Sequence, residues 1–169
     1  MALNPPLLLT GASFLSERTP VFINRIVESF ETPRHAHDFI EICVVAEGTG
    51  FHYFNREHCP ARKGDVFVLP VGATHVFRPS SANPREPFVI YNGLFLPDML
   101  RKWSATHLFP EEMLSLYLGA KDEPEPRCIQ VYDANGEIVR LMANLHVESV
   151  RKSAGYSCLV AGQFMQLLG

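Results

Sequence analysis

The stretch His35-Ala36-His37-Asp38-Phe39-Ile40-Glu41, with Gly48 after six further residues, decides how this chain is read, together with Gly64, Pro70-Val71-Gly72 and His75. Three imidazoles and one carboxylate thereby enter sequence that otherwise consists of short strands and turns. Their spacing imposes a geometric test. On one straight strand His37 and Glu41 would stand ~13 Å apart at ~3.3 Å per residue, too far to share a ligand. They converge only if the chain bends near Asp38, so that His35-x-His37 closes one strand and Glu41 lies on the next. His35 and His37 already share a face, because alternate strand residues point the same way. His75 arrives from a different hairpin and must face the same interior.

Outward from this centre, β-branched and aromatic runs alternate with Gly, Pro and Asn. The expected strands are Val21 to Glu28, Phe39 to Val45, Phe51 to Phe54, Val66 to Leu69, Thr74 to Arg78 and Phe88 to Phe95, with Cys128 to Tyr132 as the last. Asn55-Arg56 suits a hairpin turn, since asparagine tolerates positive φ. Short strands at roughly ten-residue spacing argue for an antiparallel barrel or sandwich.

After Leu96 the period changes. Pro97 can open a helix through Trp103, and Pro110 a second through Leu118. Lys121 to Arg127 reads as a loop. Asp133 can cap a helix carrying Ile138, Leu141, Met142 and Leu145 at helical spacing, and Leu159, Val160, Phe164 and Leu167 form a second apolar face. A domain this small is expected to bury only one of them. The other would leave a contiguous apolar patch, for which two-fold pairing is the commonest cover. The expected dimer interface is therefore Leu141, Leu145, Leu159, Val160, Phe164 and Leu167. The apolar final turn, with nothing after it, is compatible with a docked terminal helix or a chain cut from a longer protein, and the cut is the preferred reading.

A chain of 169 residues suits one domain. Roughly 70% of its unfolded surface can be buried at that size, so folding requires no metal or disulfide. Net charge is −3, with no basic stripe suited to nucleic acid. No apolar run approaches the ~20 residues of a membrane helix. Met1 to Thr10 has no basic start, so the expected setting is cytoplasmic, with no membrane partner. Cys43, Cys59, Cys128 and Cys158 are scattered and are read as reduced and mostly buried.

His35, His37, Glu41 and His75 are the candidate ligand-binding set. Tyr53 and Tyr91 are further candidates to line the cavity, with an ordinary core role as the alternative. Three imidazoles and a carboxylate also suit a divalent first-row metal (Zn, Ni, Fe or Mn), although no cofactor is required. His52, His58, His107 and His146 are read as surface or structural residues.

At these residues the sequence resembles the cupin superfamily. From His35 to Gly48 it follows the first cupin motif, whose leading glycine falls on Ser29. From Gly64 to His75 it follows the second, whose closing asparagine falls on Pro79. A narrower likeness runs through Arg34 to Ile42, Gly48-Thr49-Gly50-Phe51-His52, Lys63 to Pro70 and Tyr91 to Pro97. These stretches look like the sensory domain of AraC-type transcriptional regulators, and Lys152-x-x-Gly155-Tyr156 resembles that family's linker and dimerisation region. The resemblance implies a mainly β fold, a double-stranded antiparallel barrel (jelly roll) over residues 1–132, followed by C-terminal helices over 133–169. It implies a non-enzymatic sensor that binds a small-molecule effector, a sugar or related metabolite, and pairs with itself. DNA would be reached only through a helix-turn-helix half that this sequence does not contain. A metal-dependent cupin enzyme, a dioxygenase or isomerase, is the alternative.

Overall fold

The computed structural model describes residues 6–17, 19–119 and 127–169. The stretch 121–126, most of the loop expected before the last strand, lies outside these, as does the beginning of the N-terminal apolar run. The strands are β1 (Leu7–Leu9), β2 (Val21–Val27), β3 (His35–His37), β4 (Ile40–Glu47), β5 (Thr49–Phe54), β6 (Glu57–Arg62), β7 (Asp65–Leu69), β8 (Thr74–Pro79), β9 (Val89–Phe95) and β10 (Ile129–Tyr132). They form two five-stranded sheets, ordered β1-β3-β8-β5-β6 and β10-β7-β4-β9-β2. Every pairing is antiparallel except β1 with β3. The fold is the mainly β jelly-roll barrel with C-terminal helices that the sequence led us to expect.

Burial shows how the layers divide. Ile40 to Ala46 of β4 are all buried, so this strand is covered on both faces. One parity, Cys43 and Val45, meets Phe67, Phe77 and Ile90 inside the barrel. The other, Ile40, Ile42 and Val44, meets the helical layer through Met142, Leu145, Val160 and Phe164. β5 instead alternates between exposed and buried, with Gly50 and His52 inside and Phe51 and Tyr53 outside.

Two glycines fix how closely the strands approach. Gly48 has φ +76°, and a Cβ there would stand 2.2 Å from the Pro87 carbonyl oxygen. At Gly50 a Cβ would meet the Arg78 carbonyl oxygen at 2.3 Å and the Phe88 ring at 2.5 Å. Neither neighbour can yield without moving backbone or repacking the core. Gly50→Ala is therefore expected to cost about 2–3 kcal/mol in urea unfolding, at the upper end for overpacking by one methyl. An unchanged midpoint would mean that the sheet is looser here than described.

The helices are α1 (Pro97–Ala105), α2 (Leu114–Leu118), α3 (Glu137–Arg151) and α4 (Tyr156–Leu168), and Pro110 leads into a 3-10 turn, Glu111–Met113, before α2. Asp133 serves α3, although Gly136 holds the N-cap position. Its two carboxylate oxygens accept the Glu137 and Val139 amides, both at 2.9 Å. Among the described residues no helix is long and apolar enough to cross a membrane.

The helical interface expected from the sequence is corrected here. Leu145, Val160 and Phe164 are buried within the chain's own core, and Leu141 and Leu167 pack against that core. Of that set, only Leu159 is exposed, at 49%. The physical reason is that the two apolar faces do not compete for one surface. α3 lies on β2, β4 and β9, α4 lies on α3 and β2, and together they cover the outer face of one sheet. Phe164 meets Phe95 edge-on at 5.0 Å. The final turn is covered too, because Tyr117 donates its hydroxyl to the Leu168 carbonyl at 2.7 Å. An apolar finish is thus core, and carries no information about where the chain ends. Cys158 is also exposed, whereas Cys43 is buried and Cys59 and Cys128 are half-buried; all four are free thiols.

Candidate functional site

β3 and β4 belong to different sheets, and the chain passes between them at a bend over Asp38 and Phe39. The Asp38 carboxylate accepts the Gly11 amide at 2.6 Å, and the His37 carbonyl accepts the Gly72 amide at 2.9 Å. This corner allows His37 and Glu41, four residues apart, to face each other across the barrel instead of ~13 Å apart along a strand.

His35 is the ladder partner of His75, and their rings lie 4.4 Å apart. Glu41 reaches over from the opposite sheet. Its Oε2 stands 3.1 Å from His75 Nε2 and 3.5 Å from His37 Nε2. One ligand atom from each of His35, Glu41 and His75 lies within 4.8 Å of the others. The structure therefore brings together three of the four predicted residues tightly, with His37 at their border.

The tautomers follow from local bonding. His37 Nδ1 lies 2.7 Å from the Phe39 carbonyl, and His35 Nδ1 lies 3.1 Å from the Pro33 carbonyl. A carbonyl can only accept, so in each neutral ring Nδ1 carries the proton and Nε2 presents a lone pair. Such anchoring is the arrangement that orients ligating imidazoles. Burial lowers the pKa of both rings below the ordinary 6.5, which favours this neutral form. For Glu41 burial opposes ionisation, yet its hydrogen-bonding contact with His75 outweighs it and holds the carboxyl below its ordinary range. Glu28 lies nearby and behaves oppositely. Burial, aided by the Glu41 charge, raises it to about 7 despite a hydrogen bond from Thr32.

Sequence reasoning missed His52. It is 1% exposed, stacks on Phe77 at 4.2 Å, and its ring lies 5.5 Å from that of His75. A signal was present in its parity with Gly50, whose side must face inward for lack of room. Tyr53 and Tyr91, expected in the cavity, are elsewhere. Tyr53 is 38% exposed and stacks on His58 on the outer face. Tyr91 packs against the helical layer, 5.8 Å from His146. Each lies on a strand with apolar residues at both parities, so hydrophobicity alone does not give the inward face.

The interior is rich in unpartnered polar atoms. Both ring nitrogens of His52, His75 Nδ1 and the Oδ1 atoms of Asn24 and Asn92 are buried without a hydrogen bond, while His37 Nε2, His75 Nε2 and Glu41 Oε2 meet only one another. Each such atom costs roughly 1–3 kcal/mol if nothing binds it. The donor set fits a divalent ion. Metal–nitrogen bonds of ~2.0–2.1 Å place ligand atoms ~3–4 Å apart, close to the present spread. None of the three apolar clusters among the described residues includes these side chains, although Phe39 of the third stacks on the His37 ring at 4.5 Å. Chelator treatment is therefore expected to leave a single cooperative unfolding transition, and loss of that transition would make a metal structural.

A family model for the AraC-like ligand binding domain matches residues 22–168. The HTH-type transcriptional activator RhaR of Mannheimia succiniciproducens is 26% identical over 155 residues, covering 92% of this chain and 51% of that protein. The HTH-type transcriptional activator RhaS of Yersinia pestis is 32% identical over 106 residues, 62% of this chain and 37% of that protein. The chain thus spans about half the length, or less, of these curated relatives. Among solved structures, ToxT from Vibrio cholerae aligns with a TM-score of 0.48 at 7% identity, over 75% of this chain and 46% of that one. A Cupin 2 conserved barrel domain protein from Salinispora arenicola aligns at 0.41 and 21% identity, over 53% and 75%. By the family match over residues 22–168, this chain belongs to the AraC-like ligand-binding domain family.

Proposed function

We propose that this chain is the effector-sensing part of a cytoplasmic, non-enzymatic transcription regulator. The barrel, residues 1–132, takes the effector. The helical segment, residues 133–169, passes its state to a DNA-binding domain outside this sequence and to a second copy of the chain. The exposed apolar residues Val147, Val150 and Leu159 are what α3 and α4 leave for self-association. Activation of transcription by the named relatives supports the class.

One observation carries the ligand reading: buried polar atoms facing the barrel interior, both nitrogens of His52 with no hydrogen bond and the Glu41, His37 and His75 group meeting only one another, with hydrogen-bonding capacity to spare. Their chemistry narrows the ligand. The Nε2 atoms of His35 and His37 and the Glu41 carboxylate are all acceptors, so the occupant must donate. A polyhydroxylated metabolite such as a sugar does so with several hydroxyls at once. A divalent cation satisfies the same atoms differently. The Nδ1 anchoring of His35 and His37 therefore keeps a metal-dependent enzyme as the second reading.

A thermal-shift panel of aldopentoses, aldohexoses and sugar alcohols, run beside Zn, Ni, Fe and Mn, separates the two. At a ligand concentration of ~100 Kd, stabilisation of ~2.7 kcal/mol raises Tm by roughly 5–10 °C for a chain of this size. Such a response to a sugar, lost in Glu41→Gln and His75→Ala, is expected. Stabilisation by metal with no sugar response would favour the enzyme.

A further inference from the structure

On β4 the inward parity is Glu41, Cys43 and Val45, since Ile40, Ile42 and Val44 face the helices. The ladder carries that parity across the sheet. Cys43 stands opposite Asn92 of β9, and Asn92 opposite Asn24 of β2. Both carboxamides therefore point into the barrel, in a row that begins beside Glu41, whose carboxyl meets the Cys43 thiol. Directly opposed strand positions are close enough for their side chains to interact. Yet the Oδ1 atom of each is buried without a hydrogen bond, so the two do not pair with each other. The row ends at an opening. β2 is the last strand of its sheet, and Ile26, on the same inward parity, is 36% exposed. Asn24, Asn92 and Glu28 are only half-buried beside it.

We propose that Asn24 and Asn92 are the specificity-determining residues of the effector site, recognising a vicinal diol at the end of a polyol remote from Glu41. This rests on the barrel interior being the effector site, with Glu41 as the near contact. A carboxamide both donates and accepts, as a hydroxyl does, so two neighbouring carboxamides match two neighbouring hydroxyls. From β4 the row runs one to two strand spacings, ~5–10 Å, so the ligand must carry hydroxyls at both ends of its carbon skeleton. The diol supplies the hydrogen bonds that the two Oδ1 atoms do not find in the protein.

The test uses the 169-residue chain with D-xylose, D-mannose, L-rhamnose, L-fucose and D-mannitol as probes, their affinities measured by calorimetry. Any probe that binds is then compared between the wild type and the near-isosteric variants Asn24→Leu and Asn92→Leu. Affinity is expected to fall at least tenfold in each. The urea midpoint of the free chain should meanwhile rise, because each substitution removes a buried acceptor that has no partner. Deoxy forms of the probe complete the cycle: deleting the contacted hydroxyl should cost the wild type at least tenfold and the leucine variants little. A midpoint that falls together with the affinity would make the asparagines structural and overturn the proposal. Unchanged affinity in both variants, with Glu41→Gln still abolishing binding, would overturn it and leave the effector site in place. Weakened binding in the asparagine variants with Glu41→Gln silent would overturn the shared site itself, as would no binding of any probe up to its solubility limit.

Discussion

Phe164→Asp abolishes folding of this chain, whereas Leu159→Asp leaves it folded. Phe164 is fully buried against Phe95 in the layer between helices and sheet. Truncating such a ring to alanine costs about 3–5 kcal/mol, and an unpaired carboxylate in its place adds a further desolvation cost. The sum approaches the whole stability of a typical domain, ~5–15 kcal/mol. Leu159, on the same helix, is half in solvent, and a surface change there stays within about 0.5 kcal/mol. Circular dichroism and urea unfolding of the two variants check this directly. A folded, monomeric Phe164→Asp variant would restore Phe164 to a subunit interface and remove it from the core.

Acid weakens the fold, most steeply below pH 4.5. Burial lowers the pKa of His52 from 6.5 to about 3, so between those values the unfolded chain binds a proton that the folded chain refuses. Its contribution is complete above pH 6.5 and is lost as pH falls towards 3. At ~1.4 kcal/mol per pH unit this amounts to roughly 3–5 kcal/mol, to which the lowered His35 and His37 add. Glu28 has the opposite sign. Its raised value, about 7 against 4.5, gives stability that is present below 4.5 and lost as pH rises towards 7. The two effects oppose each other between pH 4.5 and 6.5. Below 4.5 only the losses remain, because Glu41, whose pKa is lowered, then also begins to take up a proton that the fold disfavours. Urea midpoints at pH 7.5, 6, 4.5 and 3.5 should show a shallow decline followed by a sharp one, and His52→Phe should blunt it. A midpoint independent of pH over that range would contradict the burial assigned to His52.

What the sequence disclosed, and what it withheld, follows from how local each signal is. Strands β2, β4, β5, β7, β8, β9 and β10 are legible because apolar alternation and turn residues lie within each segment. β6 is not, since Pro60 in its middle argues against a strand. Its place at the sheet edge, bonded only to β5, is what tolerates a proline. β1 is three exposed or half-buried leucines whose ladder partner β3 begins 28 residues later in register, Leu7 against His35, so no nearby residue announces it. In the site, His35, His37, Glu41 and His75 were legible through spacing, and the bend at Asp38 follows from the same arithmetic. His52 was hidden in Phe51-His52-Tyr53-Phe54, where aromatic residues at both parities mask the inward face. The helical faces misled for a third reason. Their partner, the outer face of the β10-β7-β4-β9-β2 sheet, exists only after the barrel has closed.

The proposed effector site is the barrel interior at His35, His37, Glu41 and His75. The most direct measurement is the 1H–13C correlation spectrum of the histidine rings during titration with whichever sugar stabilises the chain. The resonances of His35, His37 and His75 should move together and saturate, Glu41→Gln should abolish the movement, and His107, on the surface, should stay fixed. A sugar that binds while these three rings remain still, or that moves only His58 and His107, would place the effector elsewhere and contradict the account.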